Sequence, residues 1–170
     1  ICCLVVFILL SCEKKDDSIV KEKYFDPQNI DSLALTSIDG FWDTTDTNIN
    51  ISVSHLFAGY DSNLIAGRRY SGNEKGIVVS VFSTEEKAIN AFELRIENVA
   101  CVILTYEQAE NIQGKWWYSE CIPNIVFVNR WNTIIEVFRY HVDYEEVENV
   151  LYDTAKEIMK RIDSLSTEIV

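Results

Sequence analysis

Histidine, proline and basic residues are scarce in this chain of 170 residues. It contains two histidines, two prolines and six glycines, and its 15 lysines and arginines are outnumbered by 27 aspartates and glutamates. The formal net charge of −12 argues against a sequence-independent binder of nucleic acid or anionic lipid. With 48% hydrophobic residues, the composition excludes disordered and collagen-like architectures. The length indicates one compact domain.

Motifs that would mark an active site or a metal site are also missing. His55 and His141 have no histidine or cysteine at ligand spacing, and the chain has no nucleophile elbow, phosphate-binding glycine loop or dinucleotide fingerprint. Residues 46–50 imitate the start of an EF-hand loop, but Ile51 and Phe57 stand where that loop needs glycine and glutamate. A looser calcium site in this acidic loop is the alternative. We expect no metal and no cofactor and identify no catalytic residue; a binding or accessory role is favoured over an enzyme, and a small hydrolase without a sequence motif is the alternative.

The N-terminal residues form an apolar run that is separate from the rest of the chain. Residues Ile1 to Leu10 are all apolar, and no charge appears before Glu13. The run is too short to span a bilayer as a helix, which needs about 20 residues, but it fits the hydrophobic region of a secretory signal peptide. It lacks the methionine and basic residues with which such a signal begins. We therefore expect residues 1–11 to be a signal peptide that is incomplete at its N-terminus.

The apolar run ends in Leu9-Leu10-Ser11-Cys12, which resembles the lipobox of bacterial lipoproteins. That motif has an aliphatic residue, a tolerant position, a small residue and then the lipidated cysteine. The resemblance implies cleavage before Cys12, a diacylglyceryl group on its sulfur and an acyl chain such as palmitate on the new amino terminus. Two or three such chains anchor a protein stably. The alternative is an ordinary secretory signal, or a buried apolar strand, with a cysteine there by chance.

The charged residues that follow Cys12 refine the expected location. Glu13-Lys14-Lys15-Asp16-Asp17 is similar to the export signal of surface lipoproteins in the Bacteroidota. The similarity implies an outer-membrane lipid anchor with the domain on the cell surface, and the periplasmic face is the alternative. We expect residues 12–27 to be the lipidated cysteine and a flexible tether, and residues 28–170 to be a single domain.

Two cysteines remain once the leader and the anchor are set aside. Cys101 and Cys121 would reach a compartment in which disulfides form. A bridge between them would close a loop of about 20 residues and contribute on the order of 3 kcal/mol. Both cysteines lie in apolar, strand-like sequence, so two buried thiols are the alternative.

Hydrophobic periodicity predicts six strands and two helices in the domain. The strand-like runs are 64–70, 77–82, 101–105, 115–121, 125–129 and 133–140. The helices begin near Ser83 and Asp143, and each carries one apolar stripe. Polar residues 71–76 and 129–132 predict two hairpins. The order β-β-α-β-β-β-β-α predicts an α+β two-layer sandwich, a mainly antiparallel sheet with two helices packed on one face.

The aromatic content of 12% is the main pointer to a ligand. Trp117 follows another tryptophan, so on a strand one of the two faces away from the core, and Trp131 falls in a turn where full burial is not expected. We therefore predict Trp117 and Trp131 as ligand-binding residues, because sugar rings and partner proteins stack on exposed indoles. Arg68, Arg69 and Tyr70 would add polar contacts. The alternative is that these aromatic side chains only fill the core.

Two functional hypotheses follow from these features. The first is a lipid-anchored envelope protein that binds a glycan or an envelope protein through an uncovered sheet face. The second is a small envelope hydrolase or inhibitor whose site is assembled from residues distant in sequence, and which therefore shows no motif.

Overall fold

The computed structural model describes most of the predicted domain. The described residues are 22–42, 49–53, 63–72, 74–97, 115–119, 124–140 and 144–169, with the backbone alone at 53, 115–119 and 144–148. The leader with Cys12, the two remaining cysteines Cys101 and Cys121, and the predicted strand 101–105 lie outside the described residues. Lipidation, the disulfide and that strand therefore stay predictions.

The described residues form strands, two α-helices and two short 3-10 helices. The strands are β1 (Lys23–Phe25), β2 (Asn50–Val53), β3 (Leu64–Ser71), β4 (Lys75–Phe82), β5 (Lys115–Ser119), β6 (Asn124–Arg130), β7 (Thr133–Arg139) and β8 (Ser166–Glu168). The α-helices are α1 (Glu85–Glu97) and α2 (Tyr144–Leu165), and the 3-10 helices are Pro27–Leu33 and Leu35–Ser37.

A six-stranded sheet in the order β2-β3-β4-β7-β6-β5 forms the centre of the domain, and β1 pairs separately with β8. Every pairing of neighbours is antiparallel. The two predicted hairpins join β3 to β4 and β6 to β7, with Ser71 opposite Gly76 and Arg130 opposite Thr133. The α+β class and the mainly antiparallel sheet are thus confirmed.

The placement of the helices differs from the prediction, because they lie on opposite faces of the sheet. Ile77 and Val79 of β4 belong to a core formed with α2, whereas Phe82 belongs to a second core formed with α1. Every residue of β4 is buried. A strand that is apolar at successive positions needs a cover on both faces, and the run from Ile77 to Val79 carries that signal in the sequence.

Helix α2 packs on the sheet with the stripe that the sequence predicts. Leu151, Ala155, Ile158 and Ile162 recur at helical spacing and are fully buried. Helix α1 starts one residue later than the sequence suggests, since the Thr84 hydroxyl accepts a hydrogen bond from the Lys87 backbone N–H at 3.2 Å. That contact makes Thr84 the N-cap.

The folded domain begins earlier than the predicted boundary between residues 27 and 28. Residues 23–25 form β1, in which Tyr24 lies opposite Thr167 of β8, and the Phe25 side chain is fully buried. A three-residue strand carries no periodicity of its own, and its partner lies at the far end of the chain. The sequence pattern therefore could not reveal it.

Gly76 of β4 stands at a close approach of two backbones. A Cβ atom there would collide with the Phe138 ring and lie 2.7 Å from the carbonyl oxygen of Tyr70. We expect Gly76→Ala to lower the free energy of unfolding by about 2 to 3 kcal/mol, in the upper range of overpacking. Urea denaturation measures this loss. Adding Phe138→Leu to Gly76→Ala should not lower stability by the sum of the two single changes, because the ring collision is relieved; strict additivity would contradict the account.

Candidate functional site

Strand alternation separates the three residues that the sequence groups as polar ligand contacts. Arg68 faces the α2 side and donates to both carboxylate oxygens of Asp31, at 2.8 and 3.1 Å. Tyr70 faces the same side and is buried in its core. Arg69 faces the α1 side, with its guanidinium carbon 5.2 Å from the centre of the Phe138 ring. These residues therefore do not form one ligand surface.

Trp131 is 7% exposed, so the expectation of an exposed ring in the β6–β7 turn is wrong. Its backbone has φ of 51°, and its indole Nε1 donates to Asp163 Oδ1 at 2.6 Å. Arg130 pairs with the same carboxylate at 2.6 Å and lies 4.3 Å from the indole centroid. Asp163 belongs to the last turns of α2. These contacts fix the hairpin to the helix and give Trp131 a structural role.

Trp117 lies in β5, an edge strand of the described sheet, with its Cα opposite that of Phe127. The structure describes β5 by its backbone alone. The ligand-binding role of Trp117 therefore stays a prediction.

A groove of about 430 Å³ lies between α2 and the turn that follows the second 3-10 helix. We call it the α2 groove, and its lining residues are Ile38, Asp39, Gly40, Val150, Asp153, Thr154, Glu157 and Arg161. Its volume falls in the range of small-molecule sites. The α2 residues in the lining recur at spacings of three and four, so one stripe of the helix forms this wall.

The opposite wall of the α2 groove is a tight turn at Gly40, and the two residues after Gly40 attach this turn to the rest of the domain. Gly40 has φ of 78°, a conformation that glycine adopts without strain. The next residue, Phe41, is buried in the core, and the Trp42 indole donates to the Leu35 carbonyl at 2.7 Å. The groove is therefore preformed by the fold.

Three carboxylates and one guanidinium supply the charge of the α2 groove. The carboxylates belong to Asp39, Asp153 and Glu157. Arg161 donates from Nη1 to the carbonyl oxygens of Leu33 and Ala34, at 2.9 and 2.8 Å, and from Nε to Glu157 Oε1 at 3.1 Å. Because these bonds tie the guanidinium to the 3-10 segment, acidic side chains dominate the groove's chemistry.

Thr154 adds a hydroxyl to the α2 groove. The residue is 4% exposed, and its side chain makes no hydrogen bond with any residue in the described part of the chain. A threonine inside a helix often bonds to the carbonyl four residues earlier. Because Thr154 lines the groove without such a bond, its hydroxyl is available to a ligand.

A second cluster of polar side chains lies between the sheet and α1. Glu136 of β7 is 2% exposed, and its Oε1 lies 3.8 Å from Arg95 Nε. Both atoms, and the Oγ of Ser80, are buried without a hydrogen-bond partner. Burial raises the pKa of Glu136 from its ordinary 4.5 to about 7, and Arg95 and Arg69 oppose this rise. The cluster makes the stability of the fold depend on pH.

Within the ranges that the structure describes, no group of three or more histidine, cysteine, aspartate or glutamate side chains could hold a metal ion, and no helix is long and apolar enough to cross a membrane.

The sequence did not predict the α2 groove, because the two walls of the groove are far apart in the chain. The spacing of Asp153, Glu157 and Arg161 along α2 is the only local signal.

No protein-family model matches the sequence, and no curated protein matches it either.

Proposed function

We propose that the chain is a lipid-anchored protein of the bacterial cell envelope, and that its domain is a non-enzymatic module that binds a glycan or an envelope protein. The observation that carries the proposal is Leu9-Leu10-Ser11-Cys12 at the end of the apolar run. An apolar run too short to span a bilayer, followed at once by this motif and then by charged residues, resembles a lipoprotein leader.

The attachment of β1 to the domain supports the proposal. The buried Phe25 and the pairing of β1 with β8 tie the N-terminal segment to the core. About ten residues separate Cys12 from β1, and an extended segment of that length spans at most about 35 Å. An anchor at Cys12 would therefore keep the N-terminal end of the domain within about 35 Å of the bilayer.

The α2 groove is the ligand site in this proposal. It lies between the middle of α2 and the turn at Gly40. Its volume of about 430 Å³ accommodates one sugar ring or one long side chain. Its carboxylates and the Thr154 hydroxyl accept hydrogen bonds from hydroxyl or ammonium donors.

Cys12→Ala should move the protein from the membrane pellet to the soluble fraction, because the variant lacks the sulfur that would carry the lipid. Ultracentrifugation of cell lysates followed by immunoblotting measures this partition. Ser11→Ala is the matched control, since alanine is also small and preserves the motif, and we expect that variant to stay in the pellet. Equal anchoring of Cys12→Ala and the wild type would contradict the proposal.

The face of the membrane is tested in the same cells. Digestion of the wild-type domain by protease added to intact cells would support surface exposure and the export role of Lys14 to Asp17. Protection until the cells are lysed would place the domain in the periplasm, where envelope proteins become the ligands to screen.

A further inference from the structure

We propose that the α2 groove is specific for an alkylammonium group, a cationic head on a short aliphatic stem, as found in a lysine side chain or a free diamine. This inference rests on the proposed function, because it specifies the ligand of the same groove. The observations are the charge of the lining, the engagement of Arg161, the Thr154 hydroxyl and the apolar residues between them.

The lining carries three carboxylates and one guanidinium. Asp39 makes no ion pair or hydrogen bond with another described residue. Asp153 pairs at 3.3 Å with Lys156. Glu157 is held by Arg161 at 3.1 Å and also pairs with Lys160 at 4.0 Å. Neither lysine lines the groove, and exposed pairs of this kind contribute little stability. A cation that enters the groove can therefore replace Lys156 and Lys160 at small cost, while Glu157 keeps its bond to Arg161.

The guanidinium of Arg161 does not convert the groove into an anion site. Its Nη1 is shared by the carbonyl oxygens of Leu33 and Ala34, and its Nε donates to Glu157. An anionic ligand at the guanidinium would also lie beside Glu157 and approach Asp39 and Asp153, where like charges repel. The lining therefore disfavours carboxylates and phosphates.

Thr154 is the second observation that points to a ligand. It is more than nine-tenths buried, lines the groove, and has no hydrogen-bond partner among the described residues. An ammonium group has three N–H donors and no acceptor, so a hydroxyl oxygen beside carboxylates satisfies one donor while the carboxylates take the others. Charge-assisted bonds of this type are stronger than neutral ones.

Apolar lining residues make the site selective for a ligand with an aliphatic chain. Ile38 is buried and Val150 is partly buried against the core. The methylene groups of a lysine or a diamine can pack on these side chains while the charged end reaches the carboxylates. A bare inorganic cation would leave this apolar surface unused.

The test is isothermal titration calorimetry on the mature lipidated protein in detergent, with 1,5-diaminopentane and Nα-acetyl-lysine methylamide as probes. The neutral isostere 1,5-pentanediol is the control for charge. We expect both cationic probes to bind with Kd of about 1 mM or below, and the diol to give no saturable heat. Similar affinity for the two cations indicates a lysine side chain of an envelope protein as the natural ligand. Binding of the diamine alone indicates a free diamine; the alkylammonium site then stands, and the proposal that the ligand is a glycan or an envelope protein fails.

Variants assign the binding to the groove. Asp39→Asn with Asp153→Asn should weaken the diamine about tenfold, and Thr154→Val should weaken it about threefold. The matched control is Glu86→Gln with Glu97→Gln, which removes the same charge from α1 and should change Kd by less than about twofold. Equal effects of the two double variants would overturn the proposal, since they would show attraction by net charge alone.

Two further outcomes overturn the inference in distinguishable ways. Binding of the diol as tightly as the diamine, with loss in the groove variants, would show a polyol site; the alkylammonium inference then fails and the proposed binding function stands. No binding of any probe up to about 20 mM would remove the α2 groove as the ligand site of the proposed function. The lipid anchor is tested separately by Cys12→Ala.

Discussion

Glu136→Gln should raise the free energy of unfolding by about 3 kcal/mol at pH 8 and change it little at pH 4. Burial raises the pKa of the Glu136 carboxyl to about 7, so the folded protein holds this proton more tightly than the unfolded chain does. Between about pH 4.5 and 7 the folded state binds more protons, and stability therefore falls as the pH rises. Glutamine keeps the shape of the protonated carboxyl and cannot ionise, so the loss disappears.

The measurement is urea denaturation at several pH values for the wild type and the variant. The difference between the two curves isolates Glu136 from the other titrating groups. Glu97→Gln is the matched control on the exposed end of α1, and its stability should follow that of the wild type. Parallel curves for wild type and Glu136→Gln would show that the ion pair with Arg95 compensates fully for burial and that the raised pKa is wrong.

Asn132→Ala should lower the free energy of unfolding by at least about 3 kcal/mol and the Tm by roughly 10 °C. The Asn132 side chain accepts a hydrogen bond from the Phe25 backbone N–H at 2.8 Å. It also donates to the carbonyl oxygens of Phe25 and Phe82, at 3.1 and 2.9 Å. Alanine leaves these buried backbone groups without their side-chain partner, and each unsatisfied group costs about 1 to 3 kcal/mol.

Thermal unfolding followed by circular dichroism measures this loss. Asn90→Ala is the matched control, since Asn90 is exposed on α1 and its replacement should stay within about 0.5 kcal/mol. A loss of less than 1 kcal/mol for Asn132→Ala would mean that water replaces the side chain and that β1 is not joined to the core through this residue.

Local patterns in the sequence were sufficient for strands β3 to β7 and for the two α-helices, but not for the short strands β1, β2 and β8. The polar residues between Ser71 and Gly76 and the apolar stripe of α2 each lie within one short segment, and both give the observed structure. The face of the sheet on which each helix packs depends on contacts between distant segments and could not be predicted from local patterns. The unbroken apolar run in β4 signals cover on both sides of the sheet, and only the two cores of the folded chain identify which helix covers which side.

The candidate site could not be predicted from local sequence patterns, for a physical reason. Trp131 is buried in the core beside α2, where Asp163, 32 residues away in the sequence, accepts a hydrogen bond from its indole. The α2 groove exists because the turn at Gly40 packs beside Asp153 and Thr154. Neither contact leaves a periodic signal, since each depends on the packing of segments that are distant in the chain.

The most direct test of the lipid-anchored account is mass spectrometry of the N-terminal peptide of the mature protein, purified from bacterial membranes after expression from its own gene. The expected result is a peptide that begins at Cys12 and carries a diacylglyceryl group on sulfur. A mature chain that begins at any other residue, or an unmodified Cys12, would contradict the account.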